Sequence, residues 1–380
     1  MTLAALEGPR RVPPWARVLV GIVVVLVVLG AGYLTAIDRP DLLRPTLSGD
    51  AANYEAGGER LNAGHNLYGP LLAGDRPIPG YPLDYPAPLL SPPLVAVVWR
   101  PLALFGDASI QLWWLLALAL TIAIVVWFAL VGRLLTLGAL LGLVALGGLF
   151  AIWTIRHPDL GAQAPISFAA FSGNLNAYLL GLCVLVWWAS NRDHPHLAGV
   201  AVGLAAVLKL GPFALAWWLL VRRDWPALKA FVATVAILGL VGLVGAGLDA
   251  NLAFARLALG SNIKPTGLSV PGMLEAWVHV NPLHAGLGTI VATVGGLALV
   301  YLTRRRARIS FFVTMLVIVY SSPVVLAGNL VVLLAAATPV DRSDRSPKAV
   351  GLSPGQVHPA AVAPAGGPGT MSMSRARRRP

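Results

Sequence analysis

The sequence predicts an all-α protein that threads a membrane many times, and three observations carry that prediction. Hydrophobic residues make up 57% of the 380 positions and charged residues only 12%, with a mean hydropathy of +0.74, a balance that ordinary soluble domains do not reach. Several uninterrupted apolar runs match the roughly 20 residues a helix needs to cross the hydrocarbon layer. Lysine and arginine gather at the ends of those runs and in the C-terminal tail, as they do where a polytopic chain marks its cytoplasmic loops. The net charge of +12 therefore reads as a topology signal. No amphipathic face collects it, so a nucleic-acid partner is not expected.

The first run, 16–37, follows Arg10 and Arg11. It is long for the apolar core of a signal peptide and right for a span, so it reads as an uncleaved anchor. Runs 110–131, 134–153, 172–190, 228–249 and 283–303 have spanning length as well. The stretch 197–221 is too long for one crossing and carries Lys209-Leu210-Gly211-Pro212 at its centre, where glycine and proline end one helix and start another. It reads as a hairpin of two short helices. The stretch 309–340, broken at Ser321-Ser322-Pro323, reads as another short pair, and 94–105, with Arg100-Pro101, as a re-entrant or surface-lying helix. The total is about ten spans, within about eight to twelve.

Arg192, the group Arg222, Arg223 and Lys229, and the group Arg304, Arg305, Arg306 and Arg308 mark cytoplasmic loops. Loops 38–108 and 250–282, the shorter 154–171, the tip at Lys209 and the break at Ser322 then share the opposite, outer face, and both termini are cytoplasmic. The transmembrane domain is expected over 1–340. The segment 341–380 is rich in Pro, Gly, Ala and Ser and ends in a basic run, so it is expected to be a disordered cytoplasmic tail. Gly138 and Gly142, and Gly199 and Gly203, have the spacing that lets helices pack closely. The tryptophan pairs 113/114, 187/188 and 217/218 fall near span ends, as interfacial belts do. The single cysteine, Cys183, lies in an apolar run and reads as a packing residue. No internal repeat is evident.

Several chemistries have no signature here. There is no phosphate-binding Gly-x-x-x-x-Gly-Lys-Ser/Thr loop, no Asp-x-Asp pair to hold a metal with a nucleotide diphosphate, and no histidine set spaced for zinc. No metal or other cofactor is expected. Ionisable residues deep in the spans are nearly missing, which argues against an ion-coupled transporter. What remains is an outward set: Asp50, Asn53, Tyr54, Glu55, Arg156, His157, Asn174, Asn176, Lys209, Asn262 and Lys264. A lone carboxylate can deprotonate an acceptor hydroxyl while a cation neutralises charge growing on a departing phosphate, and Asp50 and Lys209 fit those two roles. On residue type alone, Asp50 also reads as the N-cap of a helix over 51–61, Lys209 as a lysine snorkelling at a helix end, and Asn174 and Asn176 as caps. Tyr85-Pro86-Ala87-Pro88 reads equally as a stiff connector.

The order of the pieces carries more. Asp50-x-x-x-Tyr54-x-Ala56 is followed by Leu61-x-x-Gly64-x-x-Leu67-Tyr68, Tyr85-Pro86-x-Pro88 and Pro101-Leu102. Then come Ser172-Gly173-Asn174-Leu175-Asn176, Gly199-x-x-x-Gly203-Leu204-Ala205-Ala206-x-Leu208-Lys209-x-x-Pro212, and Arg222-Arg223-x-Trp225. Over most of 45–230 this resembles the family-87 polyprenyl-phosphate-sugar-dependent glycosyltransferases of the GT-C superfamily, common in actinobacteria. The resemblance implies a GT-C-like helical bundle in the plasma membrane with its site on the extracytoplasmic face. It implies transfer, with inversion, of a mannosyl or arabinofuranosyl residue from a polyprenyl phosphate to a glycolipid or cell-envelope glycan. It makes Asp50 the general base and puts Lys209 near the donor phosphate, with Arg156 and Lys264 as further phosphate-binding candidates. Asn53, Tyr54, Tyr68, Tyr85, Asn174, Asn176 and Asn262 are the candidate substrate contacts. Two departures stand out: a family Gly-Gln-x-Asn motif reads Gly173-Asn174-Leu175-Asn176, and the aromatic and histidine residues expected after Ser322-Pro323 are replaced by Val324, Val325, Gly328 and Asn329. The alternative function is a non-catalytic membrane carrier, or an assembly partner, for lipid-linked sugars.

Overall fold

The computed structural model describes residues 49–69, 72, 89, 91–131, 173–259, 269–270, 282–320, 322 and 327–338. Every regular element among them is helical. The runs 16–37 and 134–153, the loop 154–171, the Tyr85-Pro86 string, the close-packing pair Gly138 and Gly142, and the tail 341–380 lie outside the described residues. The helices are α1 (Gly49–Asn62), α2 (Pro93–Leu102), α3 (Asp107–Val131), α4 (Asn176–Asn191), α5 (Pro195–Leu208), α6 (Phe213–Val221), α7 (Trp225–Leu259), α8 (Pro282–Leu302) and α9 (Ala307–Tyr320). Two 3₁₀ segments, Ala103–Phe105 and Ala327–Ala337, follow α2 and α9.

The breaks fall where the turn residues place them. Lys209 is extended (φ −155°, ψ 139°) and ends α5, and Pro212 opens α6, so 197–221 is the expected pair of short helices. The stretch 309–340 likewise divides into α9 and the 3₁₀ segment Ala327–Ala337. At three residues per turn, a 3₁₀ helix aligns every third side chain. Asn329, Val332, Ala335 and Thr338 are accordingly all buried.

Two apolar cores result. The larger joins α4, α5, α6, α9 and the second 3₁₀ segment, with Cys183 packed inside as expected. The smaller joins α1, α2 and the start of α3 around Tyr54, Trp99 and Ile110. On the outside, α3, α7 and α8 expose large apolar side chains, among them Leu112, Ile237, Val244, Val291 and Val294. In water such a surface would aggregate, whereas lipid solvates it. Two of the described helices, α3 and α7, are long and apolar enough to cross a membrane.

Close approach of α5 to α7 depends on glycine. A Cβ on Gly199 would run into the carbonyl of Ala227, and one on Gly203 would sit 2.6 Å from Thr234 Cβ. Gly199→Ala is expected to destabilise the protein by about 1–3 kcal/mol through overpacking, outweighing the better helix propensity of alanine. Gly239, with open space around its Cβ position, supplies the control, since Gly239→Ala should be neutral or stabilising. Unfolding followed by tryptophan fluorescence in detergent compares the two, and equal effects at both positions would remove the close-packing account.

Two expectations need correction. Residues 250–259 are helical rather than looped. α7 breaks at Gly247 (φ 82°), a backbone that glycine adopts without strain, and then continues to Leu259. The break is satisfied by Arg100, whose Nη1 donates to Gly245 O at 3.1 Å, and by Asn251, whose Nδ2 donates to Gly247 O at 2.7 Å. Beyond it, Phe254 meets Tyr68 with ring centroids 5.9 Å apart, so this segment packs on the chain that follows α1. The tryptophan pairs are not simple belts either. Adjacent residues on a helix point about 100° apart, and in two of the three pairs one member is buried: Trp187 and Trp218 are buried, Trp188 and Trp217 only half-buried, while Trp113 and Trp114 are both half-buried.

Candidate active site

Asp50 lies inside the first turn of α1 and is not its cap. A carboxylate there is favoured by the exposed N–H groups and positive dipole end of the helix. α1 is held against α2 by a pair of adjacent glycines, since a Cβ on Gly58 would come 2.7 Å from Trp99 O. A reciprocal amide–guanidinium contact adds to this: Arg100 Nε donates to Asn62 Oδ1 at 3.0 Å and Asn62 Nδ2 to Arg100 O at 2.9 Å.

Three other segments bring polar groups to Asp50. Gly173 has φ 64° and turns the chain into α4, and its carbonyl accepts from Trp113 Nε1 at 2.7 Å, tying the turn to α3. Asn174 Oδ1 accepts the Asn176 N–H at 2.6 Å. Its amide nitrogen is thereby left as the donor that meets the Asp50 carboxylate. The N-cap position of α4 is Leu175 rather than Asn174, and the Asn174 side chain bonds both the first helical N–H and the Asp50 carboxylate. Lys209, at the end of α5, donates from Nζ to Asn176 Oδ1 at 3.2 Å, and Asn176 Nδ2 donates to Asn329 Oδ1 at 2.7 Å. The Lys209–Pro212 turn is seated against α9, where a Cβ on Gly211 would come 2.6 Å from Ile318 O. Asp50, Asn174, Asn176, Lys209 and Asn329 therefore form one connected set where the two apolar cores meet.

Asp50 and Lys209 are both half-buried, and their charges bear on each other. Burial pushes the Asp50 carboxyl above its ordinary range, against the pull of Lys209 and the Asn174 hydrogen bond. Burial pushes Lys209 below the ordinary lysine range, against the pull of Asp50. A carboxylate raised in this way is a stronger base than an exposed one, and a cation next to it can follow a phosphate rather than solvent.

The remaining candidates are placed as follows. Asn53, one turn along α1 from Asp50, is buried and its Oδ1 has no hydrogen-bond partner, so it stands ready to accept from a hydroxyl. Tyr54 packs its ring near Trp99 and Trp113, at 6.2 and 6.4 Å between centroids. Glu55 is fully buried. Tyr68 donates its hydroxyl to Ser91 O at 2.7 Å, away from the polar set. Tyr85, Arg156, His157, Asn262 and Lys264 lie outside the described residues. Asn329 entered the sequence reading only as a departure from the family pattern. Its signal was nonetheless present: it is the single polar side chain in the apolar stretch 324–337.

Residues 90–327 match the sequence profile of glycosyltransferase family 87. The chain belongs to that family. The family-87 match contains Asn174, Asn176 and Lys209, while Asp50 and Asn329 flank it on either side. A relative from Mycolicibacterium smegmatis, a polyprenol-phosphate-mannose-dependent alpha-(1-2)-phosphatidylinositol pentamannoside mannosyltransferase, is 29% identical over 197 residues. That alignment covers 50% of this family-87 chain and 42% of the relative, so the chain spans less than half the length of the relative it matches. No solved structure matches the chain. Family-87 membership and the lipid-solvated faces of α3, α7 and α8 make this a membrane protein.

Proposed function

We propose that the protein is a membrane glycosyltransferase that moves a mannosyl or arabinofuranosyl residue from a polyprenyl phosphate to a glycolipid or cell-envelope glycan, with inversion. The observation that carries this reading is the convergence of Asp50 and Lys209, from segments about 160 residues apart, on one polar set at the seam of two apolar cores. The family and the donor named for the mycobacterial relative support it.

In the proposed reaction the acceptor hydroxyl oxygen attacks the anomeric carbon from the face opposite the phosphate. Asp50 takes the hydroxyl proton as the new carbon–oxygen bond forms. The bond from the anomeric carbon to the phosphate oxygen breaks, and the electron pair leaves with polyprenyl phosphate, which passes from a singly charged diester to a monoester carrying one more negative charge. Lys209 neutralises that charge, while Asn176 and Asn329 fix its position through their hydrogen-bonded chain. Asn53 Oδ1 is an acceptor for a second hydroxyl of the incoming sugar. The site faces the extracytoplasmic side, where lipid-linked donors of this kind meet envelope acceptors.

The test is product analysis with the purified protein in lipid nanodiscs, offered radiolabelled polyprenyl-phosphate mannose or polyprenyl-phosphate arabinose with a phosphatidylinositol mannoside acceptor or an arabinan oligosaccharide. The expected result is label in the acceptor from one of the two donors, with inverted configuration at the anomeric carbon. Transfer from neither donor by folded protein, to either acceptor, would overturn the reading.

A further inference from the structure

α4 runs from the polar set at Asn176 to an end some 20 Å away, where a second group of polar atoms takes no part in sugar transfer. There α4, α6 and α9 bring Trp187, Trp218 and Phe311 together. Ring centroids are 4.7 Å apart for Trp187 and Phe311, 5.2 Å for Trp218 and Phe311, and 6.3 Å for the two indoles. Trp187 is 2% exposed and Trp218 0%, and neither indole N–H has a hydrogen-bond partner. Ser190, one turn beyond Trp187 on α4, has a buried and unpartnered Oγ. The Arg222 guanidinium lies 4.5 Å from the centre of the Trp218 ring, and its Nη1 is likewise buried and unpartnered.

Two more charged groups stand around this set. Arg308 lies 5.8 Å from the Trp187 ring and donates from Nη2 to Thr338 O at 3.1 Å. Asp224 is the opposing charge, and its Oδ1 accepts the Ala227 N–H at 3.3 Å. Burial holds Arg222 below the ordinary arginine range despite the pull of Asp224.

Indole and guanidinium N–H groups only donate, so Trp187, Trp218 and Arg222 cannot satisfy one another, and the Ser190 hydroxyl, which could accept, is itself without a partner. Leaving several such donors buried together is costly unless an acceptor arrives from outside the chain. A neutral acceptor such as water would answer the indoles but leave the buried guanidinium with only the pull of Asp224, which does not offset its burial. A tetrahedral anion answers both, because it offers several oxygens and negative charge at once.

We propose that the Arg222 end of the bundle binds a phosphate group, held by the Arg222 guanidinium, the Trp187 and Trp218 indole N–H groups and the Ser190 hydroxyl. The phosphate comes from a lipid headgroup or from free phosphate, and the chemistry at the site is the same. Arg223, Arg304, Arg305 and Arg306 lie in the turns at this end and raise the local concentration of either.

The test uses the full chain in detergent, with thermal unfolding and equilibrium binding read against dioctanoyl phosphatidylglycerol, inorganic phosphate and dioctanoylglycerol, which lacks phosphate. Phosphatidylglycerol is expected to raise the melting temperature saturably and dioctanoylglycerol to leave it unchanged. An equal shift with inorganic phosphate would identify free phosphate as sufficient. Trp218→Phe keeps an aromatic ring and removes the N–H, and should weaken binding about tenfold; Arg222→Gln should weaken it further. If Arg222→Gln fails to fold, Trp218→Phe and Ser190→Ala carry the comparison. Lys209→Met should keep the shift, which separates this site from the donor site. The proposal is overturned if no phosphate-bearing probe shifts the wild-type protein, if Lys209→Met abolishes the shift, or if the folded Trp218→Phe and Ser190→Ala proteins bind as tightly as wild type.

Discussion

Asp50→Asn lowers the rate of sugar transfer by about 10²–10⁴-fold, the usual worth of a positioned general base, while the protein keeps its helical fold. The amide has the shape of the carboxylate and can still accept from Asn174, so α1 and the turn before α4 stay joined. What it cannot do is take the proton from the acceptor hydroxyl. The pH dependence gives a second reading of the same substitution. Asp50 acts only when ionised, and burial raises its pKa. Activity should therefore fall with acidity at a higher pH than an exposed aspartate would give. The donor is a phosphodiester with no proton to exchange near neutrality, so this acid limb belongs to the protein. In Asp50→Asn the residual activity should lose that limb. Rates across pH, with circular dichroism of both proteins, decide the matter, and wild-type turnover in a folded Asn variant would end Asp50's candidacy.

Lys209→Met lowers kcat/KM for the donor by about 10²–10³-fold, as expected when the group that stabilises developing charge is removed, and leaves the acceptor KM near its wild-type value. Methionine retains much of the lysine stem, so the contact between the α5–α6 turn and α9 persists. Lys209 must be protonated to act, and burial lowers its pKa. The alkaline limb of the wild-type profile should consequently lie below that of an ordinary lysine, giving a bell narrowed from both sides. The two limbs belong to the pair, because Asp50 and Lys209 each favour the charged form of the other. Their losses should accordingly be less than additive in the double variant. A Lys209→Met protein whose donor kinetics are intact and whose acceptor KM alone rises would place the phosphate elsewhere.

Much of this site was legible because it depends on local chemistry. Lys209-Leu210-Gly211-Pro212 could end one helix and begin another in few other ways, and Ser172-Gly173-Asn174 carries its turn in the glycine. Asp50 and Lys209 pair by role from the sequence alone, since carboxylates are few in so apolar a chain and most of its cations gather at the ends of the apolar runs and in the tail. The parts that escaped depend on tertiary context. Gly247 follows Gly239, Gly242 and Gly245 in the same helix, and nothing in the sequence says which of the four leaves the helical backbone. That choice is made by Arg100, from α2, and by Asn251, which supply donors for the carbonyls at the break. Residues 250–259 read as loop only because they follow a completed span. Asn329 escaped for a different reason. Its register against Asn176 follows from a three-residue turn sustained over 11 residues, longer than 3₁₀ segments usually run, and an α-helical reading would have aimed it elsewhere. For Trp187 and Trp218, position along the sequence gives distance from a helix end, whereas the side of the helix decides which ring is buried.

The helices that present the polar set are short. α4 has 16 residues and α5 and α9 have 14 each, or roughly 21–24 Å of helix against about 30 Å of hydrocarbon. α7 has 22 residues before its break at Gly247, roughly 33 Å, and tight turns start α5, α7 and α9 beside the ends of the helices before them. On the proposed outward-facing placement, a bilayer of ordinary thickness would leave the floor of the site about 6–9 Å below the headgroups, with α1, α2 and the far end of α7 over it. On that placement a substrate must descend to be used. A polyprenyl phosphate does so readily, because its tail already lies in the hydrocarbon and only its charged end must be drawn down toward Lys209. A branched or stiff glycan would not, so the proposed enzyme would select acceptors by whether a single terminal sugar can reach below the surface, a criterion of depth and slenderness that operates before any hydroxyl is recognised.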